Sequence, residues 1–292
     1  MTTRSPRPPR GRVGRAGVLQ VGAAVAVLSL LVAACQSDAG SDAADSASSS
    51  ISEDTTPGTD GLVLVALGDS ASTGHGDPTG RGWVVYYGEL IGSSTGQAVE
   101  VRNLAEDGTT TEALLDRIRT DDAVRTAISE ADVVAIGMGG NELNMGDAAM
   151  EAGSCEDTDC YDQPVELYRT NLDAIVSEIE NIRAGQPTVL RAIGSPNALT
   201  GAEDIIPPFL KPVATKVGVY EARLLDTATC KVMAAHRGAC AALLKAFNGT
   251  DGTQNAYDVG LLNLDDCCYP TEAGQRLIAK VLFKTGLDAT RP

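Results

Sequence analysis

Residues 62–67, LVLVAL, are six consecutive apolar residues that stop abruptly at Gly68-Asp69-Ser70. A short, unbroken run of this kind fits a strand buried on both faces of a parallel sheet. In open α/β sheets ligands bind beyond the carboxyl ends of the strands, and this run delivers a serine there. Gly68 lets the chain leave the strand through a turn that a Cβ would hinder. Gly, Asp and Ser are also ordinary turn formers. The three residues alone therefore define a strand and a turn, and the chemistry of Ser70 depends on what the rest of the chain brings to it.

The remaining pattern alternates strands with helices. Residues 98–104 (AVEVRNL) read as a second strand leading into the polar turn Ala105–Thr111, and residues 132–138 (DVVAIGM) as a third, ending in Gly139-Gly140-Asn141-Glu142. Residues 188–193 form a fourth, ending at Gly194-Ser195-Pro196, and residues 257–262 are expected as a fifth. Between them, helices are expected around residues 83–91, after the N-cap hydroxyls of Thr109 to Thr111, over 164–183, over 213–236, and over 271–283 with Thr271 as cap. In the segment 164–183, Tyr168, Leu172, Ile175, Ile179 and Ile182 fall at spacings of three and four, on one helical face. Such alternation specifies a parallel sheet with helices on both sides. No internal repeat is evident.

The first 60 residues are of a different kind. Arg4, Arg7, Arg10, Arg12 and Arg15 precede an apolar run that ends in Leu31-Val32-Ala33-Ala34-Cys35. A basic start, an apolar stretch and small residues form a secretory signal. Small residues directly before a cysteine resemble a bacterial lipobox, which implies cleavage before Cys35 and lipidation of its sulfur. The competing reading, an uncleaved span, needs about 20 apolar residues, which this run barely supplies. Residues 36–60 are rich in Ser, Asp, Ala and Thr and have too little apolar surface to offset the entropy of ordering. They read as a tether, with a coil reach of roughly 25–30 Å. The division is thus 1–34 signal, 35–60 lipidated Cys35 plus tether, and 61–292 a single domain large enough for a substantial core.

Charge narrows the partners. The formal net charge is −16, and loss of the five signal arginines makes the mature chain −21. So acidic a surface argues against nucleic acid or anionic lipid as an electrostatic partner, and leaves acyl chains on Cys35 as the route to a membrane. A monomer, tethered on the extracytoplasmic face of the cell membrane, is the expectation. Beyond Cys35 there are six cysteines, Cys155, Cys160, Cys230, Cys240, Cys267 and Cys268. An even number in an exported chain favours disulfides over metal, and zinc is further disfavoured because only His75 and His236 supply imidazole. Cys155–Cys160 closes a short polar loop, and Cys230–Cys240 is a second local pair. Cys267 and Cys268 either join each other or cross to that second pair.

Taken together, these blocks resemble the SGNH (GDSL-type) hydrolase family, whose fold is a flavodoxin-like three-layer α/β/α sandwich. Gly68-Asp69-Ser70 matches the block that carries the nucleophile. Gly108 matches the glycine whose backbone N–H serves the oxyanion hole. Gly139-Gly140-Asn141-Glu142 resembles the G-x-N-D block, with Asn141 as side-chain oxyanion donor and Glu142 in place of Asp. The last block, D-x-x-H-P with a later glycine, is matched by Asp266, Pro270 and Gly274, but Tyr269 stands where the resemblance implies a histidine.

That substitution has a chemical cost. A serine hydroxyl needs a base, and a phenol with a pKa about 10 is protonated at neutrality, whereas imidazole near 6.5 is not. His75, five residues after Ser70, is an alternative base. His236, at a helix end, and the carboxylates Asp77 and Asp266 are further alternatives. The resemblance implies a cofactor-free hydrolase of carboxylic esters, either lipid or short-chain acyl esters or an acetylated glycan. Ser70 would be its nucleophile, Ser70 N–H, Gly108 N–H and Asn141 its oxyanion donors, and Asp266 the residue that orients the base. The alternative is an inactive relative that kept the cleft as a binding or scaffolding module.

Overall fold

The computed structural model describes residues 61–265 and 268–289. The signal segment, Cys35, the tether, Asp266 and Cys267 lie outside the described residues. Five parallel strands, β1 (Leu62–Gly68), β2 (Val99–Asn103), β3 (Val133–Gly137), β4 (Val189–Ile193) and β5 (Ala239–Ala241), form one sheet in the order β2-β1-β3-β4-β5. This is the flavodoxin-like order, in which the chain direction across the sheet reverses between β1 and β3. Leu64 of β1 pairs with Val101 of β2 on one side and with Val133 of β3 on the other. With β1 flanked on both edges and covered on both faces, its continuous apolar run is accounted for.

Nine α-helices, α1 (Ser70–Thr73), α2 (Gly82–Thr95), α3 (Thr111–Thr120), α4 (Asp122–Glu130), α5 (Gly140–Glu151), α6 (Asp162–Arg183), α7 (Ala214–Ala235), α8 (Leu244–Asn248) and α9 (Glu272–Phe283), and two short 3-10 turns, Asp157–Tyr161 and Lys211–Val213, accompany the strands among the described residues. One face of the sheet packs against α3, α4, α6 and α7, through Leu114, Ile128, Leu172, Ile175 and Val232. The other face packs against α2, α8 and α9, through Trp83, Ile91, Phe247, Ile278 and Leu282. The expected three layers are therefore present. Helix starts carry the caps that the residue types predict: Thr110 Oγ1 accepts from Ala113 N at 3.3 Å, and Thr271 Oγ1 from Gly274 N at 3.2 Å. No described helix is long and apolar enough to cross a membrane.

Three expectations change. The fifth strand is Ala239–Ala241, paired with β4 in the register Arg191↔Ala239, and not residues 257–262. The latter segment turns at Gly260 (φ +70°) and contributes only an isolated antiparallel bridge, Leu262↔Pro270. Helix α2 runs on to Thr95, where Gly96 caps it in the left-handed region, so it is longer than the expected 83–91. Helix α5 replaces what the sequence pattern presents as a loop, because its opening Gly139-Gly140-Asn141 carries no helix signal.

Two of the disulfides match the local pairs. Cys155–Cys160 and Cys230–Cys240 are bonded, with Cα separations of 5.5 and 5.1 Å. The second staples α7 to β5, which removes the crossed pairing of Cys230 and Cys240 with Cys267 and Cys268. Cys268 is disulfide-bonded as well. At the opposite edge, β2 carries Glu100 and Arg102, whose guanidinium donates to Glu100 at 2.7 Å and to Glu130 at 2.5 Å.

Candidate active site

The end of β1 is built around close backbone approach. A Cβ on Gly68 (φ +147°) would lie 2.0 Å from the Gly137 carbonyl oxygen, so the neighbouring ends of β1 and β3 require glycine here. Asp69 then caps α1: its Oδ1 accepts from Ala71 N at 2.9 Å, and its Oδ2 from Gly139 N at 3.1 Å. Ser72 Oγ donates to Gly137 O at 2.8 Å. The turn carrying Ser70 is thereby pinned to the end of β3. Half-buried Ser70 faces a cleft of about 380 Å³ that Asn141, Leu143, Leu199, Glu221 and Tyr269 also line.

Asn141 sits in the first turn of α5. Its Nδ2 donates to Thr109 O at 2.9 Å and lies 3.5 Å from Asp69 Oδ2. The first contact holds the turn after β2, on which Gly108 sits at φ +74°. Glu142, one residue on, reinforces the same turn: its Oε1 accepts from Thr111 N at 2.6 Å and from Thr111 Oγ1 at 2.7 Å. Adjacent residues of one helix thus position both the side-chain amide and the Gly108 turn.

Tyr269 lines the cleft and also meets the loop after α1. Its ring packs on that of His75 with centroids 4.9 Å apart and planes tilted by 31°. The approach needs Gly76 (φ +78°), where a Cβ would fall 2.8 Å from Tyr269 Cβ and 2.5 Å from Pro270 O. Gln275 Nε2, from α9, donates to His75 O at 3.0 Å. His75 Nε2 lies 2.7 Å from Asp107 Oδ2. Hydrogen bonds from His75 and Thr73 hold the Asp107 carboxyl below the usual range. In the sequence the only signal for Asp107 is its place beside Gly108, in the turn after the second strand.

The other candidate bases lie elsewhere or are engaged. His236 ends α7 and bonds Glu180 at 2.9 Å and Asp173 at 3.2 Å on α6, away from the residues that line the cleft. Asp77 is buried, which pushes its carboxyl up, but hydrogen bonds from Thr79, Tyr86 and Gly82 N outweigh this and hold it low. Among the described residues no group of three or more His, Cys, Asp or Glu is placed to hold a metal ion.

The cleft wall is acidic, with carboxyls that resist ionisation. Burial pushes Asp69 up to about 6 against the pull of its backbone donors. Burial, with Asp147 nearby, pushes Glu221 up to about 8. Burial also raises Asp147, whose Oδ1 accepts from Tyr161 Oη at 2.6 Å. Asp226 on α7 is pushed to about 6 by burial although it accepts from Leu243 N, Leu244 N and Ser195 N.

A flavodoxin-ordered sheet, with a serine at the end of its first strand and an asparagine lining the same cleft, places the candidate site at the reversal point of an α/β fold. Residues 66–277 match the model of the GDSL-like lipase/acylhydrolase family, and the chain belongs to that family. Among solved structures, a lipase from a goat rumen metagenome superposes with a TM-score of 0.63 at 17% identity, covering 78% of this chain and 98% of that one. A lipase/acylhydrolase from Enterococcus faecalis gives 0.51 at 22% identity over 77% of this chain and 94% of its own. An acetyl-xylooligosaccharide esterase from Geobacillus, a mutant form, gives 0.52 at 18% identity over 77% and 93%. At these identities the likeness is one of fold. An uncharacterized Bacillus subtilis protein, YpmR, is 37% identical over 83 residues, 28% of this chain and 32% of the relative, so the match spans about a third of that relative.

Proposed function

We propose that the protein is an exported, membrane-tethered serine hydrolase of carboxylic esters, either short-chain or lipid acyl esters or an acetylated glycan. The observation that carries the reading is Ser70 at the end of β1, with Asn141 in the wall of the same cleft. The family, and fold neighbours described as lipases and an acetyl-xylooligosaccharide esterase, support ester bonds as the target. A cleft of about 380 Å³ lies within the range of small-ligand sites, roughly 300–1,000 Å³.

In this reading Ser70 Oγ attacks the ester carbonyl as its proton passes to a base. The carbonyl π pair moves onto oxygen, where Ser70 N–H, Gly108 N–H and Asn141 Nδ2–H receive it. Collapse breaks the bond to the alcohol, which leaves with the proton, and water then releases the acyl group from Ser70. Asp69, bonded to Gly139 N and near Asn141, holds the donor helix against the nucleophile turn. The second reading, a binding module, is favoured by one observation: tyrosine occupies the position where the family resemblance implies histidine.

The two readings separate on one experiment. Incubation with a fluorophosphonate, followed by mass spectrometry, is expected to find the adduct on the Ser70 peptide, with hydrolysis of p-nitrophenyl acetate lost in Ser70→Ala. An unlabelled Ser70 and no ester turnover would leave the binding module. The membrane tether is tested separately: Cys35→Ser should release the protein from the membrane fraction or block its processing. Normal maturation with unchanged membrane association would remove the lipid anchor.

A further inference from the structure

We propose that His75, oriented by Asp107 and seated on the ring of Tyr269, is the general base for Ser70. The inference rests on the hydrolase reading of Ser70 and names the proton acceptor which that reading lacks.

Four contacts converge on this assignment. The imidazole and carboxylate form a pair, Nε2 to Oδ2 at 2.7 Å, which is how an orienting acid holds a catalytic histidine. Tyr269 joins this pair to the cleft, since its ring packs on His75 while it shares the cleft wall with Ser70. Thr73 Oγ1 ties the same carboxylate to the nucleophile turn, 3.0 Å from Asp107 Oδ1 and 3.1 Å from Ser70 O. Finally, the loop is held from behind by Gln275 and by the fit of Gly76 under Tyr269.

The pairing also sets the tautomer. Asp107 accepts Nε2–H, so the lone pair of the neutral ring lies on Nδ1, the reverse of the usual assignment in a serine triad. As the Oγ–carbonyl bond forms, the Oγ–H bond breaks and the proton moves to Nδ1. Asp107 then faces an imidazolium. When the bond to the alcohol breaks, Nδ1 returns the proton to the departing oxygen. In the second half a water proton follows the same route, the acyl–Oγ bond breaks and Ser70 regains its hydrogen. His75 lies on a half-exposed loop between Gly74 (φ +96°) and Gly76 (φ +78°). In the structure His75 lies behind Tyr269, beside and not within the cleft that Ser70 lines, so the transfer requires this half-exposed loop to bring Nδ1 to Oγ when an ester binds.

The groups facing His75 are Asp107 and Glu106 from the turn after β2, Asp77 from its own loop and Tyr269 from the segment before α9. Glu106 is paired with Arg117 at 3.1 Å, and Asp77 is engaged by Thr79, Tyr86 and Gly82. Asp107 is thus the carboxylate in direct contact with the ring.

The test measures kcat/KM against pH on p-nitrophenyl acetate for the full chain and three variants. His75→Ala should lose at least about a hundredfold, the low end of a general base's contribution, and should lose the acidic limb of the profile. Added imidazole should restore part of its rate, which a folding defect would not allow. Asp107→Asn should lower kcat as well, with KM nearly unchanged, as a residue that positions the base would. An active wild type unaffected by His75→Ala removes this proposal and leaves the hydrolase. A Tyr269→Phe protein as dead as Ser70→Ala, with His75→Ala still active, assigns the proton to the phenol and also overturns it. A wild type without turnover, with Ser70 unlabelled, removes both readings together.

Discussion

Replacing Asn141 by Ala is expected to lower kcat for ester hydrolysis by about 10²–10³-fold with KM nearly unchanged, the effect of losing one preorganised oxyanion donor. The argument starts from hydrogen-bond capacity. A carboxamide nitrogen has two hydrogens. One is committed to Thr109 O at 2.9 Å; the other has only a long contact, 3.5 Å, to Asp69 Oδ2. It is therefore available for an oxygen that gains charge during attack. A neutral ester carbonyl draws less from the same hydrogen, which is why the loss should appear in kcat. Steady-state kinetics on a p-nitrophenyl ester, with circular dichroism to confirm the fold, checks it. A change confined to KM would make Asn141 an ordinary binding residue.

The second large effect concerns stability against pH. Glu221 has its folded pKa raised to about 8 from a reference of 4.5. Between those values the folded chain keeps a proton that the unfolded chain releases. Its stabilising contribution is therefore complete below about pH 4.5 and is lost as pH rises through 8. Asp69 and Asp226, both raised to about 6, act in the same direction over a narrower window. His236 adds to the trend: burial alone would lower it, but Glu180 and Asp173 raise it, so its charged form favours the fold and fades as pH climbs. The lowered carboxylates Asp77 and Asp107 matter at the acid end, below the window considered.

The thermal midpoint should accordingly be higher near pH 5 than at pH 8. Glu221→Gln, which keeps the shape without the charge, should gain a few kcal/mol over wild type at pH 8 and almost nothing at pH 5. That corresponds to a midpoint shift of several degrees for a domain of this size. Calorimetry at the two pH values decides it. A variant that tracks the wild type at both would mean that Glu221 ionises freely in the fold.

Much of this architecture was legible because apolar runs and turn residues carry local information. Four of the five strands, the long helix α6 and the cap at Thr271 follow from runs, periodicity and hydroxyl placement alone. Residues 239–241 did not announce themselves: three residues are too few to show alternation, and their strand character comes from lying beside β4. Residues 257–262 misled for the opposite reason, as an apolar pair after Gly260 imitated a strand end while the glycine's positive φ turned the chain. At the site, Ser70 and Asn141 were readable from their strand-end motifs. The pairing of His75 with Asp107 was not, since it joins two loops separated by 32 residues. Nor could sequence show that Glu221 and Asp147, 74 positions apart, share one wall of the cleft.

The sheet also has two margins, and each is closed to strangers. On one side β5 is only three residues long and is covalently fastened to α7, so it offers little backbone to an incoming strand. On the other, β2 presents Glu100 and Arg102, the latter also paired with Glu130 of α4, and another chain would have to desolvate these charges before its amides could pair. Short or charged borders are how natural sheets avoid adding foreign strands. Crowding copies of the described domain together would therefore not, by way of these two borders, extend one sheet into the next as a continuous ribbon.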